Sequence, residues 1–336
     1  MIRVHWLGLV SALCLTYSGS AIPEIPRVEP TVSVVLVGDI MLAELPGKDI
    51  KRGRDPFARF SRILDTADIR IGNLECVVAT GGTAEPGKPY TFRAHPRTLR
   101  VLQRHFDALA LANNHSGDYG PVAFSEMLDL LEARRMAYFG GGRNLARAHE
   151  PLVLERKGLR IALLGYNEFM PRSFEADYDK PGIAWSEDEQ VQVDIANART
   201  RFGADLVIAI MHWGWEGDQV ASPRQRRLAR LMIDAGADAV VGGHPHVTQD
   251  IEHYQGKPII YSLGNFVFNG FTSQEANAGW LLRLEMDGQG VRRWQTFVAH
   301  IDSRGTPHPG SRHEGSCWIR EEESAAVCSD DLQQSR

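Results

Sequence analysis

The sequence predicts an α/β fold assembled around buried sheet. Short apolar runs rich in β-branched residues alternate with stretches of helical periodicity, as a chain that passes from strand to helix and back must read. Run after run ends on a side chain able to bind an ion. The composition is that of an ordinary globular protein, with 336 residues, 43% hydrophobic, 24% charged and a formal net charge of −5. That balance, with no long single-sign block, excludes a generic nucleic-acid surface, which needs a basic footprint to neutralise phosphates.

Residues 1–21 carry Arg3, an apolar stretch over 6–15 and the small residues Ser18, Gly19, Ser20 and Ala21. This is signal-peptide grammar, and the expectation is export to the periplasm or cell envelope, by cleavage after Ser20 or Ala21 or with the segment kept as an N-terminal anchor. No stretch reaches the ~20 apolar residues of a spanning helix, which excludes a multi-pass membrane protein. Residues 22–31, with Pro23, Pro26 and Pro30, read as a linker to a domain over 32–302. Within it the runs at 32–37, 67–71, 108–112, 159–164, 205–210, 237–241 and 258–261 read as strands. The stretches 97–106, 122–136, 187–201 and 224–234 space their apolar residues by three and four, as amphipathic helices do. Residues 279–285 and 291–299 read as a hairpin around 287–290, so the last part of the fold is expected to be antiparallel. From 303 to 336 the chain is polar, rich in Gly, Pro and acidic residues, and reads as a mobile tail.

Cys76 precedes Val77 and Val78 and reads as a buried core thiol. Cys317 and Cys328 are placed to close a short loop in an oxidising compartment. No cysteines have the paired spacing of a structural zinc site, so metal chemistry must come from other residues.

Those residues follow the strands. Val37 leads to Gly38-Asp39, Ile71 to Gly72-Asn73-Leu74-Glu75, Ala112 to Asn113-Asn114-His115, Met211 to His212-Trp213-Gly214, and Val241 to Gly242-Gly243-His244-Pro245-His246. In open α/β sheets ligands bind outside the carboxyl ends of strands, so these termini are expected to converge. Singly, each Asp reads as a turn former and each His as a structural residue; together they form a set. Asp39, Glu75, Asn114, His212, His244 and His246 mix carboxylate, amide oxygen and imidazole, which suits Mn²⁺, Fe or Zn²⁺. Such a set can hold two ions about 3.5–4 Å apart around a bridging carboxylate, an arrangement suited to phosphate esters. His115 is then the candidate to stabilise or protonate the leaving group. Glu168 and Asn265 follow further strand runs and join the substrate-binding candidates, as do Trp213 with Trp215 as a ligand platform or rim packing, and Arg93 as an anion clamp or a solvated side chain. No G-x-S-x-G elbow and no helix-opening G-x-G-x-x-G is present. The segment from Gly82 to Lys88 has P-loop spacing, but Pro89 stands where the metal-binding Ser or Thr belongs.

Six ordered motifs complete the pattern: Gly38-Asp39-Ile40-Met41, Gly72-Asn73-Leu74-Glu75, Asn113-Asn114-His115-Ser116-Gly117-Asp118-Tyr119-Gly120, His212-Trp213-Gly214, Gly243-His244-Pro245-His246 and Tyr261-Ser262-Leu263-Gly264-Asn265-Phe266. From Val32 to Phe268 they make the chain resemble the CapA/PgsA family of capsule and poly-γ-glutamate synthesis proteins. The resemblance implies a four-layer α/β/β/α sandwich, similar to the calcineurin-like metallophosphatases, with a dimetal site at strand ends. It makes Asp39 the first-strand ligand, Glu75 the bridging carboxylate, Asn114 and His115 the Asn-His pair, and His212, His244 and His246 the later ligands. Met41 departs from the phosphatase pattern, which has a His there, and a thioether is a poor ligand for a hard divalent ion. Two roles follow from the resemblance: a metal-dependent hydrolase of a phosphoester or an anionic envelope polymer, or a non-catalytic assembly component of a polyglutamate machinery that grips the polymer beside membrane-bound synthesis components.

Overall fold

The computed structural model describes residues 1–2, 30–170, 172–311 and 314–320. All but the first two residues of the expected signal peptide or anchor, most of the linker, the end of the tail and Cys328 lie outside these residues. Among the described residues no helix is long and apolar enough to cross a membrane.

The chain first builds half of one sheet from β1 (Val32–Ile40), β2 (Ile69–Leu74), β3 (Ala108–Ala110) and β4 (Ala137–Phe139), all parallel. Between them lie α1 (Glu44–Lys51), α2 (Leu99–His105) and α3 (Gly120–Ala133). It then crosses to a second sheet made of β5 (Leu152–Arg156), β6 (Leu159–Asn167), β7 (Leu206–His212), β8 (Ala239–Gly243), β9 (Ile251–Tyr254) and β10 (Lys257–Ile260), in the order β9-β10-β8-β7-β6-β5. The four inner strands are parallel, and the two edge strands run antiparallel. Helices α4 (Asp188–Thr200) and α5 (Pro223–Asp234) connect them, the latter opened by a capping box between Ser222 and Gln225.

The chain finally returns to the first sheet. There β11 (Asn265–Val267) pairs with the end of β1, and the hairpin β12 (Ala278–Asp287) and β13 (Gly290–Ile301) runs antiparallel beside it. The segment read as a mobile tail from 303 instead contributes β14 (Pro307–Pro309) and β15 (Cys317–Ile319), both paired with β13. Alternation hid these strands: Pro, His and Trp in runs of three carry no readable period. Cys317 is disulfide-bonded.

Side-chain alternation in β1 shows how the layers stack. Val35 and Val37 pack with Phe124, Met127 and Leu131 of α3, whereas Val34 and Leu36 face Leu163, Ile208 and Val241 of the other sheet. In β7, Val207 and Ala209 turn away from that interface toward Ile195 of α4 and Leu228 and Met232 of α5. Helices therefore cover the outer face of each sheet, and the result is the four-layer α/β/β/α sandwich that the family resemblance implied. Because the inner strands are buried on both faces, they read in the sequence as continuous apolar runs. Cys76 is a free, fully buried thiol, as expected, and burial pushes its thiol up to about 12.

Candidate metal centre

The ends of β1, β2, β7 and β8 meet where the two sheets abut. Asp39 is 1% exposed at the end of β1. Its Oδ1 accepts a hydrogen bond from Asn73 Nδ2 at 2.8 Å, and its Oδ2 accepts one from the His244 backbone N–H at 3.1 Å. Gly243 permits that approach, since a Cβ on it would stand 2.6 Å from Asp39 Oδ1. The loop beyond β8 is strained: His244 and His246 both have positive φ, 93° and 56°, on either side of Pro245.

Glu75 lies one residue past β2, completely buried, and neither of its carboxylate oxygens has a hydrogen-bond partner; His244 Nε2 is equally unpartnered. Donor atoms of Glu75, His212 and His244 lie within 4.8 Å of one another, as do those of Asp39, Glu75 and His246. Glu75 is common to both groups. Asn114 Oδ1 stands 2.8 Å from His212 Nε2 and so adds an amide oxygen to the first. The expected set of six residues is thus brought together as two donor groups sharing one carboxylate.

The electrostatics match this arrangement. Burial, with the Asp39 carboxylate beside it, pushes the Glu75 carboxyl well above the usual carboxylate range. Burial and the neighbouring imidazoles hold His212 and His244 well below the ordinary histidine value, so both rings are neutral donors at neutral pH. A buried carboxylate without a donor is too costly to keep ionised unless a cation compensates it. Unpartnered oxygens at the shared corner of two nitrogen-and-oxygen groups fit divalent ions of the Mn, Fe or Zn class.

Further residues orient the donors. Asn265 Nδ2 donates to the carbonyls of His246 and Ala276, which turns its Oδ1 to the His246 ring, 2.9 Å from Nδ1. The Nδ1–H is held there, and Nε2 faces Glu75 Oε1 at 3.7 Å. His115 Nδ1 stands 2.7 Å from Asp118 Oδ2, and that buried carboxylate also takes the Lys88 ammonium and the Phe92 N–H. Burial lowers the His115 imidazole, with Asp118 opposing.

Other candidates are placed differently. Trp213 is fully buried and donates through Nε1 to the Tyr261 carbonyl at 2.9 Å, so it is core rather than a platform. Trp215 is the exposed ring, set edge-on against Phe169, whose ring centroid is 3.8 Å from that of His244. Arg93 donates to the carbonyls of Gly81 and Gly82 and lies over the Tyr119 ring, which makes it a fastener of its own segment. Glu168 donates its backbone N–H to the His212 carbonyl, while its carboxylate pairs with Arg224 at 2.5 Å. Met41 belongs to the apolar cluster on the helix side of the first sheet. Asn73, Asp118 and Phe169 were not among the sequence candidates; Asp118, three residues after His115, had a readable spacing.

The family described as "Bacterial capsule synthesis protein PGA_cap" matches residues 33–270. The chain is 32% identical over 313 residues to the PGA biosynthesis protein CapA of Bacillus subtilis, covering 90% of this chain and 81% of that one. It is 31% identical over 214 residues to a probable polyglutamine synthesis accessory protein of Mycobacterium tuberculosis, covering 60% of this chain and 55% of that one. Among solved structures it is similar to the NAD nucleotidase NadN of Haemophilus influenzae, with a TM-score of 0.44 and 13% identity, covering 84% of this chain and 54% of that one. The match over most of the sandwich, and over every strand end that supplies a donor, makes the chain a member of the bacterial capsule synthesis protein family PGA_cap.

Proposed function

We propose that this protein is an exported, metal-dependent hydrolase serving synthesis of a poly-γ-glutamate-type envelope polymer, acting on a phosphoester or on the anionic polymer itself beside membrane-bound synthesis components. One observation carries the reading: Glu75, buried with both oxygens unpartnered, is shared by two donor groups. Asp39, Glu75 and His246 would hold one ion, and Glu75, His212, His244 and Asn114 the other. Ions held there supply Lewis acidity and a water nucleophile at neutral pH. His115, its Nδ1–H fixed by Asp118, leaves Nε2 as the atom that would take up a proton from water and hand it on to the leaving group. Names of relatives, PGA biosynthesis protein CapA and polyglutamine synthesis accessory protein, support the polymer context.

The word accessory in one of those names also favours a second reading, in which the centre grips polymer carboxylates and cleaves nothing. Elemental mass spectrometry after separate loading with Mn²⁺, Fe²⁺ and Zn²⁺, followed by a phosphoester and polyglutamate hydrolysis screen, separates the two. About two ions per chain with turnover supports the hydrolase. Ions with polymer binding and no turnover supports the gripping role, and no ion retires both.

A further inference from the structure

Asn73 touches both donor groups without belonging to either. Its Nδ2 donates to Asp39 Oδ1 at 2.8 Å and lies 3.3 Å from His212 Nδ1. The orientation of its amide is fixed by a neighbour. Asn113 Oδ1 accepts from the His115 N–H at 3.1 Å, and Asn113 Nδ2 donates to the Leu74 carbonyl at 2.9 Å. The Asn73 atom 3.1 Å from that nitrogen is therefore its oxygen, and its NH₂ faces Asp39 and His212. The chain of amides continues to Asn114, whose Oδ1 is 2.8 Å from His212 Nε2.

We infer that Asn73 is the positioning residue that sets Asp39 for the ion on the Asp39 side; this rests on the metal reading of the site. Asp39 has its other oxygen fixed by the His244 backbone N–H, so Asn73 supplies the second restraint on that carboxylate. Toward His212 the same NH₂ can only donate, so Nδ1 accepts and the ring proton sits on Nε2 against Asn114 Oδ1; that contact does not prepare Nε2 to bind an ion. A cavity of about 20 Å³ lies against Asp39, Asn73 and His212, room for about one water and too little for either side chain to reorient freely. A donor that holds a ligating carboxylate in this way typically changes metal affinity 10–100-fold when removed.

The test is titration of the purified full chain with Zn²⁺ against a competing chelator, comparing the natural sequence with Asn73→Ala and, should that variant fold poorly, Asn73→Ser. Circular dichroism melts of the metal-free forms run alongside. The expected result is that one dissociation constant, that of the ion on the Asp39 side, rises about 10–100-fold in the variant, although no ligand has been altered. A role limited to packing lowers the melting temperature and leaves both constants in place, which overturns the inference. No Zn²⁺ bound by the natural sequence is the separate failure of the metal reading, and takes this inference with it.

Discussion

A carboxylate without exposed surface or hydrogen-bond donor is a cost to the metal-free protein, and Glu75 bears that cost. Replacing it with Gln removes the ionisable group while keeping its shape. Glu75→Gln is therefore expected to bind fewer ions and, with chelator present at pH 8, to be more stable than the natural chain, since burial and the Asp39 charge make the folded natural chain hold there a proton that the unfolded chain has lost. Chemical denaturation of both forms measures this, and a metal-free Gln variant that is less stable would contradict the account. His115 gives the opposite pattern. It contributes no atom to either donor group, so His115→Ala should retain its ions while any hydrolysis falls by about 10²–10⁴. Ion content and turnover measured on one preparation decide the point, because a joint loss of both would make His115 a support of the metal site rather than a proton carrier.

Among the elements, the turn after β8 concentrates the constraints. Gly243 brings the backbone against Asp39, and the following residues take left-handed conformations that aim two imidazoles inward. Gly243→Ala would press a Cβ into the Asp39 carboxylate, so about 1–3 kcal/mol of stability and most of the Asp39-side metal affinity should be lost together. Thermal melts with and without Zn²⁺ test it; an unchanged metal-dependent rise in melting temperature would mean that the loop relaxes at no cost to the site. How legible such features are depends on their length and period. The strands β1, β6, β7 and β8 are buried on both faces and announce themselves as apolar runs, and the donors that follow them were readable for that reason. The edge strand β5, with its partly exposed Leu152–Arg156, and the short strands after 303 carry no such signal. Two sheets rather than one were not legible from periodicity and came only through the family resemblance. Adjacency of Trp213 to His212 in sequence says nothing about which face its side chain takes at the strand end. The ring points into the helix-side core, and Trp215, two residues on, is the one left at the surface.

For the molecule as a whole, the centre joins two sheets that the chain visits in separate passes, so metal loading should be visible in global stability and in its pH dependence. In the metal-free protein the Glu75 carboxyl is raised by burial and by Asp39, while the unfolded chain ionises near the ordinary value of about 4.3. Between those limits the folded state holds a proton that the unfolded state has lost, and stability contributed by this group falls as pH rises. His212 and His244 are lowered, so below about 6.5 the unfolded chain takes up protons that the folded rings refuse, and stability from them falls as pH drops. Below about pH 6.5 two such imidazoles act against one carboxyl, and the acid-side loss outweighs the carboxyl's opposite trend. Ions bound at the centre demand an ionised Glu75 and neutral imidazoles, which removes the decline on the alkaline side and steepens the loss on the acid side. Melting temperatures from pH 5 to pH 9, in chelator and in Zn²⁺, for the natural chain and for Glu75→Gln, isolate the effect by difference. The gap between natural and Gln forms in chelator should widen in favour of Gln as pH rises. A gap that narrows with pH would mean that Glu75 has a stabilising partner in the folded protein, and the case for a cation at that corner would go with it.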